Sequence, residues 1–330
     1  MPTSKFTTPH FRNVAITSGD PKGIGFEVTS KALFNLGPQP KTIFFLYRDR
    51  LHHKRQLRYF KLLDQKFLRV TFASQMAAFS FLKSLQETRF LPKNILIDLA
   101  MPTSAAEWVL EAARSCLKKE YASLVTAPIS KTLIQRSGFP FVGHTGAFRS
   151  LLPNANLHMA FIGKDFNVLL ASDHIPLSRV STSLTKQKIF EALAAARYFK
   201  KLVGSKKKIA VLGLNPHSGE KGLLGSFERT FMGRLPEDVV GPLVPDAAFL
   251  KSNWKKYSVY VCLYHDQGLI PFKMIHGQDS GVHITMGLPF VRTSVDHGTA
   301  FDIYNKNIAN PASMLEAIQL NLKLIRGKNV

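Results

Sequence analysis

Apolar positions fall along this chain in two alternating rhythms. Short continuous runs of branched and aromatic residues, the pattern of strands buried on both faces, occupy 14–17, 42–47, 94–99, 123–126, 157–162, 167–171, 208–214, 258–263 and 282–285. Between them apolar residues recur at helical spacing. Residues 186–203 place Ile189, Phe190, Leu193, Ala196 and Leu202 near one face, and Gly204 follows as a stop. Ser104 with Glu107 three residues on is a capping-box signature, which predicts a helix to about Lys119. By the same sign, Ser313 with Glu316 opens a last helix whose Leu315, Ile318, Leu322 and Ile325 are spaced for burial. Residues 47–69 read as a further helix, with Leu51, Leu57, Phe60, Leu62, Leu63 and Phe67 inward and a solvated basic face outward. Strand and helix alternate from end to end, so the expected fold is α/β with a largely parallel sheet.

Composition narrows the classes. The chain has 330 residues, 45% apolar and 11% aromatic, enough to bury a core despite a formal charge of +22 from 44 Lys+Arg against 22 Asp+Glu. Cys116 and Cys262 form no CxxC pair, which argues against a disulfide framework or a thiolate zinc site and favours a reducing, cytoplasmic setting. No signal-peptide run or membrane-length apolar stretch is present, so a soluble protein that is not exported is expected. The charge is densest at 47–69, yet no finger, RNP-like motif or basic-region heptad accompanies it. Neither a dedicated nucleic-acid partner nor a membrane partner is expected.

Several segments carry chemistry. Gly19-Asp20-Pro21-Lys22-Gly23-Ile24-Gly25 joins a strand to a helix ending near Leu36; it is neither GxGxxG nor a Walker loop, and read alone it is a tight connection. Three histidines each follow an apolar run: His174 in SDHIPL, His217 in GLNPHSGE and His265 in YHDQG. If those runs are parallel strands, all three project from carboxyl ends, where open α/β sheets place ligands, and together they suit one divalent metal. His144 and Thr145 after Gly143, with Lys273 and Arg292, offer donors for a phosphate or carboxylate; the plainer reading is surface cations on a basic protein.

In combination these segments resemble the 4-hydroxythreonine-4-phosphate dehydrogenase family of pyridoxal phosphate biosynthesis. The resemblance runs from Val14 to about Leu320. It rests on GDPKGIG, TAPISK at 126–131, GHT at 143–145, GLNPHSGE at 213–220, YHDQG at 264–268 and GLPFVRTSVDHGTAFDI at 287–303. Residues 297–311 are also similar to the adenine-side loop of the wider isocitrate and isopropylmalate dehydrogenase superfamily. The resemblance implies that fold, which is not a Rossmann fold: two α/β lobes around a central cleft, formed by chain crossings, in a single catalytic unit covering 1–330 with a flexible terminus at 1–12.

It further implies a metal held by His174, His217 and His265; zinc suits three neutral imidazoles best, with magnesium, manganese and cobalt also used in the family. His144, Thr145, Lys273, His283 and Arg292 would hold the phosphorylated substrate, and Gly287, Ser294, His297, Gly298 and Asp302 the NAD. Asp266 and Lys273 are the candidate catalytic groups, Asp266 either orienting His265 or moving a proton. A homodimer with its site near the interface is implied. The reaction would oxidise the C3 hydroxyl of 4-phosphooxy-L-threonine to a β-keto acid that loses carbon dioxide to give 3-amino-2-oxopropyl phosphate.

Four positions depart from the family pattern. Gly146 stands where Glu is common, His283 where a substrate-binding Asn is usual, Lys22 where a small residue is usual and Asp173 where Thr is common. They keep other readings in view: a dehydrogenase of phosphothreonate or phosphoerythronate, a metal-dependent phosphate-ester hydrolase, or a scaffold without turnover. The HGTAFDI segment argues against the hydrolase, which needs no dinucleotide.

Overall fold

Burial on both faces turns the apolar runs into strands. In the computed structural model of the chain, which describes residues 11–87, 94–231, 233–277 and 280–326, Val14, Ala15 and Ile16 have no exposed surface, and neither do Val168, Leu169, Ala210 and Val211. The chain divides into two compact units: the residues up to Leu151 with His297–Asn321, and Leu152–Asp296 with the chain from Leu322 onward. No helix among the described residues is long and apolar enough to cross a membrane.

The first unit contains β1 (Arg12–Thr17), α1 (Gly25–Asn35), β2 (Thr42–Asp49), α2 (Leu57–Asp64), β3 (Leu68–Phe72), α3 (Gln75–Glu87), β4 (Ile95–Met101), α4 (Ala105–Leu117), β5 (Ser123–Thr126), α5 (Lys131–Arg136) and α6 (Gly143–Leu151). Its strands lie in the order β3-β4-β2-β1-β5, all parallel. The predicted capping box is present: Ser104 Oγ accepts from Glu107 N, and Glu107 Oε2 accepts from Ser104 N at 2.7 Å. Residues 1–10 of the expected terminal tail lie outside the described residues, and Arg12 already belongs to β1.

The second unit contains β6 (His158–Ile162), β7 (Asn167–Leu170), α7 (Val180–Ser183), α8 (Lys186–Leu202), β8 (Ile209–Leu212), β9 (Val239–Leu243), α9 (Pro245–Ala248), β10 (Tyr260–Cys262), α10 (His265–His276), β11 (Val282–Met286) and β12 (Val291–Ser294). The order is β12-β11-β6-β7-β10-β8-β9. The expectation of a largely parallel sheet holds, and the antiparallel pairs of the described residues fall here. β6 runs antiparallel to β7 and to β11, and β11 antiparallel to β12; only β7, β10, β8 and β9 are parallel. Only residues 163–166 join β6 to β7, too few for a crossover helix, so a hairpin results. The core on one face packs Phe161, Phe166, Leu170, Leu212, Tyr260 and Phe272, with the Phe166 ring contacting Phe249, Trp254, Tyr260 and Phe272.

Two helical expectations change. The basic stretch 47–69 is not one helix: it holds the end of β2, a short turn at Lys54–Gln56, α2 and the start of β3. Its charge is also partly internal. Arg48, 7% exposed, donates to both oxygens of Asp98, and Arg69 bridges Asp98 and Asp64. The last helix, α11 (Ala312–Arg326), begins before Ser313; Leu315 N bonds Pro311 O, Asn310 Oδ1 accepts from Ala312 N, and Ser313 is buried.

Candidate active site

Three parallel strands of the second unit bring the histidine loops to one edge. β7 pairs β10 and β10 pairs β8, with Leu170 opposite Cys262 and Val211 opposite Val261, so the aligned row continues to Leu212. His174, His265 and His217 stand four, three and five residues beyond that row. Side chains tie the loops together. Ser172 Oγ donates to Leu263 O at 2.7 Å, Gln267 Oε1 accepts from Leu263 N at 2.7 Å, and Gln267 Nε2 donates to Gly213 O at 2.7 Å.

His174 and His265 meet, with ring centroids 5.1 Å apart. His265 opens α10, and its Nδ1 lies 2.7 Å from Asp266 Oδ1. A carboxylate can only accept there, so Nδ1 donates and Nε2 of the neutral ring keeps its lone pair, the state a metal ligand needs. His217 arrives differently. Residues 217–221 form a left-handed turn, with φ of 51°, 51°, 80°, 41° and 53°, and four of the five are not glycine. At roughly 1–2 kcal/mol per non-glycine residue, such a turn costs about 4–8 kcal/mol and persists only where surrounding contacts impose it. Among the described residues no three His, Cys, Asp or Glu side chains are already assembled as a metal-holding group. What the structure brings together is the His174–His265 pair, with exposed His217 on the neighbouring strand's loop. The donors suit a transition ion chemically: imidazoles, one with its tautomer set by a carboxylate.

A second cluster lies deeper in this unit. Arg292 Nη1 bonds His283 Nδ1 and Thr285 Oγ1, each at 3.0 Å, and Ser294 Oγ lies 3.1 Å from the same His283 nitrogen. Guanidinium is a donor only, so His283 Nδ1 accepts and the neutral ring carries its proton on Nε2. Phe161 stacks on that ring with centroids 5.0 Å apart. Burial pushes the Arg292 guanidinium down to about 9, which leaves it cationic at neutral pH. Arg292 and Ser294 are thus both buried partners of buried His283, while Lys273 is exposed on α10 with its Nζ 3.5 Å from Asp296 Oδ1. Gly287 occupies a turn with φ of 91°, where a Cβ would sit 2.3 Å from Asn156 O.

In the first unit three motifs converge. Asp20 is buried; its Oδ2 accepts from Ser130 Oγ at 2.7 Å and its Oδ1 from Lys22 N, so GDPKGIG is tied to TAPISK. Ile24 N donates to Thr299 O at 3.0 Å, which ties it to HGTAFDI. Glu27 and Lys31 of α1 pair at 2.7 Å; Glu27 accepts from Ala309 N, and Lys31 donates to the carbonyls of Asn307 and Ala309. His297, Gly298 and Asp302 lie on the loop so anchored, beside Ala300, whose φ of 44° is again left-handed. His144 and Thr145 fall in the first turn of α6. The expected substrate and cofactor residues are therefore divided: His144, Thr145, His297, Gly298 and Asp302 in the first unit, Lys273, His283, Gly287, Arg292 and Ser294 in the second.

The first glycines show why the loop is tight. Gly19 has φ of 71°, and a Cβ there would lie 2.1 Å from Pro128 O. Gly19→Ala is expected to destabilise the protein by about 1–3 kcal/mol, as overpacking against backbone does, measured as a lowered urea midpoint. An unchanged midpoint would mean that the contact with Pro128 relaxes freely.

The fold is of the α/β class, and its architecture is shared with a β-decarboxylating dehydrogenase from Thermococcus kodakarensis (13% identity, TM-score 0.53, 96% of this chain and 84% of that one). Residues 63–321 match the model of the family "Pyridoxal phosphate biosynthetic protein PdxA", and the chain belongs to that family. It is 37% identical, over 95% of its length and 98% of the relative's, to a 4-hydroxythreonine-4-phosphate dehydrogenase from Sulfurihydrogenibium. It is 34% identical, over 95% and 99%, to a D-threonate 4-phosphate dehydrogenase from Salmonella typhimurium. The solved 4-hydroxythreonine-4-phosphate dehydrogenase from Klebsiella pneumoniae matches 96% of this chain and 98% of its own, with 28% identity and a TM-score of 0.75.

Proposed function

We propose that the protein is an NAD-dependent, divalent-metal-dependent 4-hydroxythreonine-4-phosphate dehydrogenase, oxidising the C3 hydroxyl of 4-phosphooxy-L-threonine to a β-keto acid that decarboxylates to 3-amino-2-oxopropyl phosphate. The observation that carries this reading is the arrival of three histidine loops at the carboxyl ends of three adjacent parallel strands. His174, His217 and His265 would hold the ion, zinc before magnesium, manganese or cobalt, because all three ligands are imidazoles. Such an ion supplies positive charge that makes the hydroxyl more acidic and favours loss of carbon dioxide. The chain's own groups do the rest. Asp266 fixes the His265 ring; Lys273, and His144 and Thr145 at the start of α6, meet the phosphorylated substrate; buried Arg292 holds His283 as a neutral Nε2–H donor. Gly287, Ser294, His297, Gly298 and Asp302 would receive the dinucleotide. A cytoplasmic homodimer completes the proposal, in line with the family resemblance.

A second reading has a specific basis: the Salmonella relative that acts, by its name, on D-threonate 4-phosphate is nearly as similar as the first. Incubation with NAD, zinc or manganese and each phosphorylated acid in turn separates the two, with NADH absorbance and carbon dioxide release followed together. NADH with 4-phosphooxy-L-threonine at the higher kcat/KM is expected; preferential turnover of D-threonate 4-phosphate would replace the first reading with the second. Phosphate release without NADH would sink both.

A further inference from the structure

The His217 turn is shaped from outside its own sequence. Glu228 lies eleven residues beyond His217, 1% exposed. Its Oε1 accepts the backbone N–H groups of Leu214 at 2.9 Å and Asn215 at 2.8 Å, and its Oε2 accepts Asn215 Nδ2 at 3.0 Å. Two glycines let the pieces close: a Cβ on Gly219 would stand 2.7 Å from Glu228 Oε2, and one on Gly225 2.6 Å from Asn215 Nδ2. A buried carboxylate that receives three N–H donors is a rigid anchor, because each bond is charge-assisted and none is exchanged readily with water. The anchored peptide, Leu214–Asn215, is separated from the left-handed turn at 217–221 by Pro216 alone, and Ser218 Oγ fastens the turn's second residue to Pro242 O at 3.2 Å.

We infer that Glu228 is the positioning residue for His217: it touches neither metal nor substrate, and fixes the start of the turn so that the imidazole faces its ligand position. The inference rests on the proposal that His217 is a metal ligand. It adds to the histidine set a residue outside every motif by which the chain is recognised. Chemistry separates the available substitutions. Glutamine keeps one carbonyl oxygen for both backbone N–H groups, and a half-turn of the Asn215 amide converts the remaining clash of donors into a bond from the glutamine amide nitrogen to Asn215 Oδ1. Alanine offers nothing to any of the three donors.

The test is zinc affinity of the purified full-length apoprotein, measured by competition with a chromophoric chelator, with thermal midpoints recorded beside it. Glu228→Ala is expected to weaken zinc binding about 10–100-fold, the range for residues that orient a metal ligand. Glu228→Gln should stay within about threefold of the parent, since its hydrogen bonds are remade. A purely structural role would lower the midpoint and leave the affinity of the folded protein unchanged, which overturns the inference. So does a glutamine variant as weak as alanine. Should Glu228→Ala fail to fold, Asn215→Ala removes only the Oε2 contact and is expected to weaken binding about 3–10-fold; unchanged affinity there also overturns it. His217→Ala separates the two levels. If that variant binds zinc as tightly as the parent, the ligand assignment itself is wrong; if it loses zinc while Glu228→Ala does not, only the role of Glu228 falls.

Discussion

Replacing His265 with alanine is expected to lower kcat/KM for the phosphorylated substrate by at least ~10³-fold, because the proposed metal would supply several kcal/mol of charge stabilisation and each 1.36 kcal/mol is a factor of ten. Its orientation is determined by contacts on two sides. It is the first residue of α10, its Nδ1 is engaged by Asp266 at 2.7 Å, and its ring sits 5.1 Å from that of His174. In the proposed ligand set, loss of the imidazole would remove a ligand, whereas Asp266→Asn would only loosen one, so the latter should cost about 10–100-fold. Both falls should appear mainly in kcat, with metal content per subunit measured on the same samples. A His265→Ala protein that keeps its full metal content and its rate would remove His265 from the ligand set.

The three histidine loops were legible in the sequence for a simple physical reason. A buried parallel strand is an apolar run, its carboxyl end is the first polar residues after it, and His174, His217 and His265 each stand within five residues of such an end. The Ser104 capping box was equally local and lies where it was expected. What the sequence hid depends on partners distant along the chain. The direction of β6 against β7 is set by the few residues of its hairpin, and β12, with Arg292, Thr293 and Ser294, lacks an apolar run although every one of them is buried. The basic stretch at 47–69 has helical spacing over α2 alone; β3 behind it pairs with β4 and draws Arg69 inward to Asp98. Glu228 gives no signal at all, since two of its three donors are backbone N–H groups, which every residue but proline carries, and the third is the Asn215 amide thirteen residues earlier.

The same Asp98 carries the largest expected effect on stability. It has no exposed surface and accepts from Arg48 Nε at 2.7 Å, Arg48 Nη2 at 2.9 Å, Arg69 Nη1 at 2.7 Å and Thr71 Oγ1 at 3.1 Å. Arg69 keeps Asp64 if Asp98 is lost, but among the described residues Arg48, 7% exposed, retains the Asp49 carbonyl and the face of Phe60, 4.6 Å from its guanidinium. Breaking a buried pair from one side leaves a desolvated charge, so Asp98→Ala is expected to cost about 3–5 kcal/mol. The two tryptophans allow this to be read in the unit concerned: Trp108 is buried in the first, and Trp254 lies in the second. In a Trp254→Phe background, urea unfolding followed by Trp108 fluorescence should show the loss. Removing both charges with Arg48→Met and Asp98→Leu should recover much of it, because the apolar pair leaves nothing uncompensated. A single-variant cost below about 1 kcal/mol, the range of exposed surface pairs, would mean that water reaches Arg48 and that the charge is not internal.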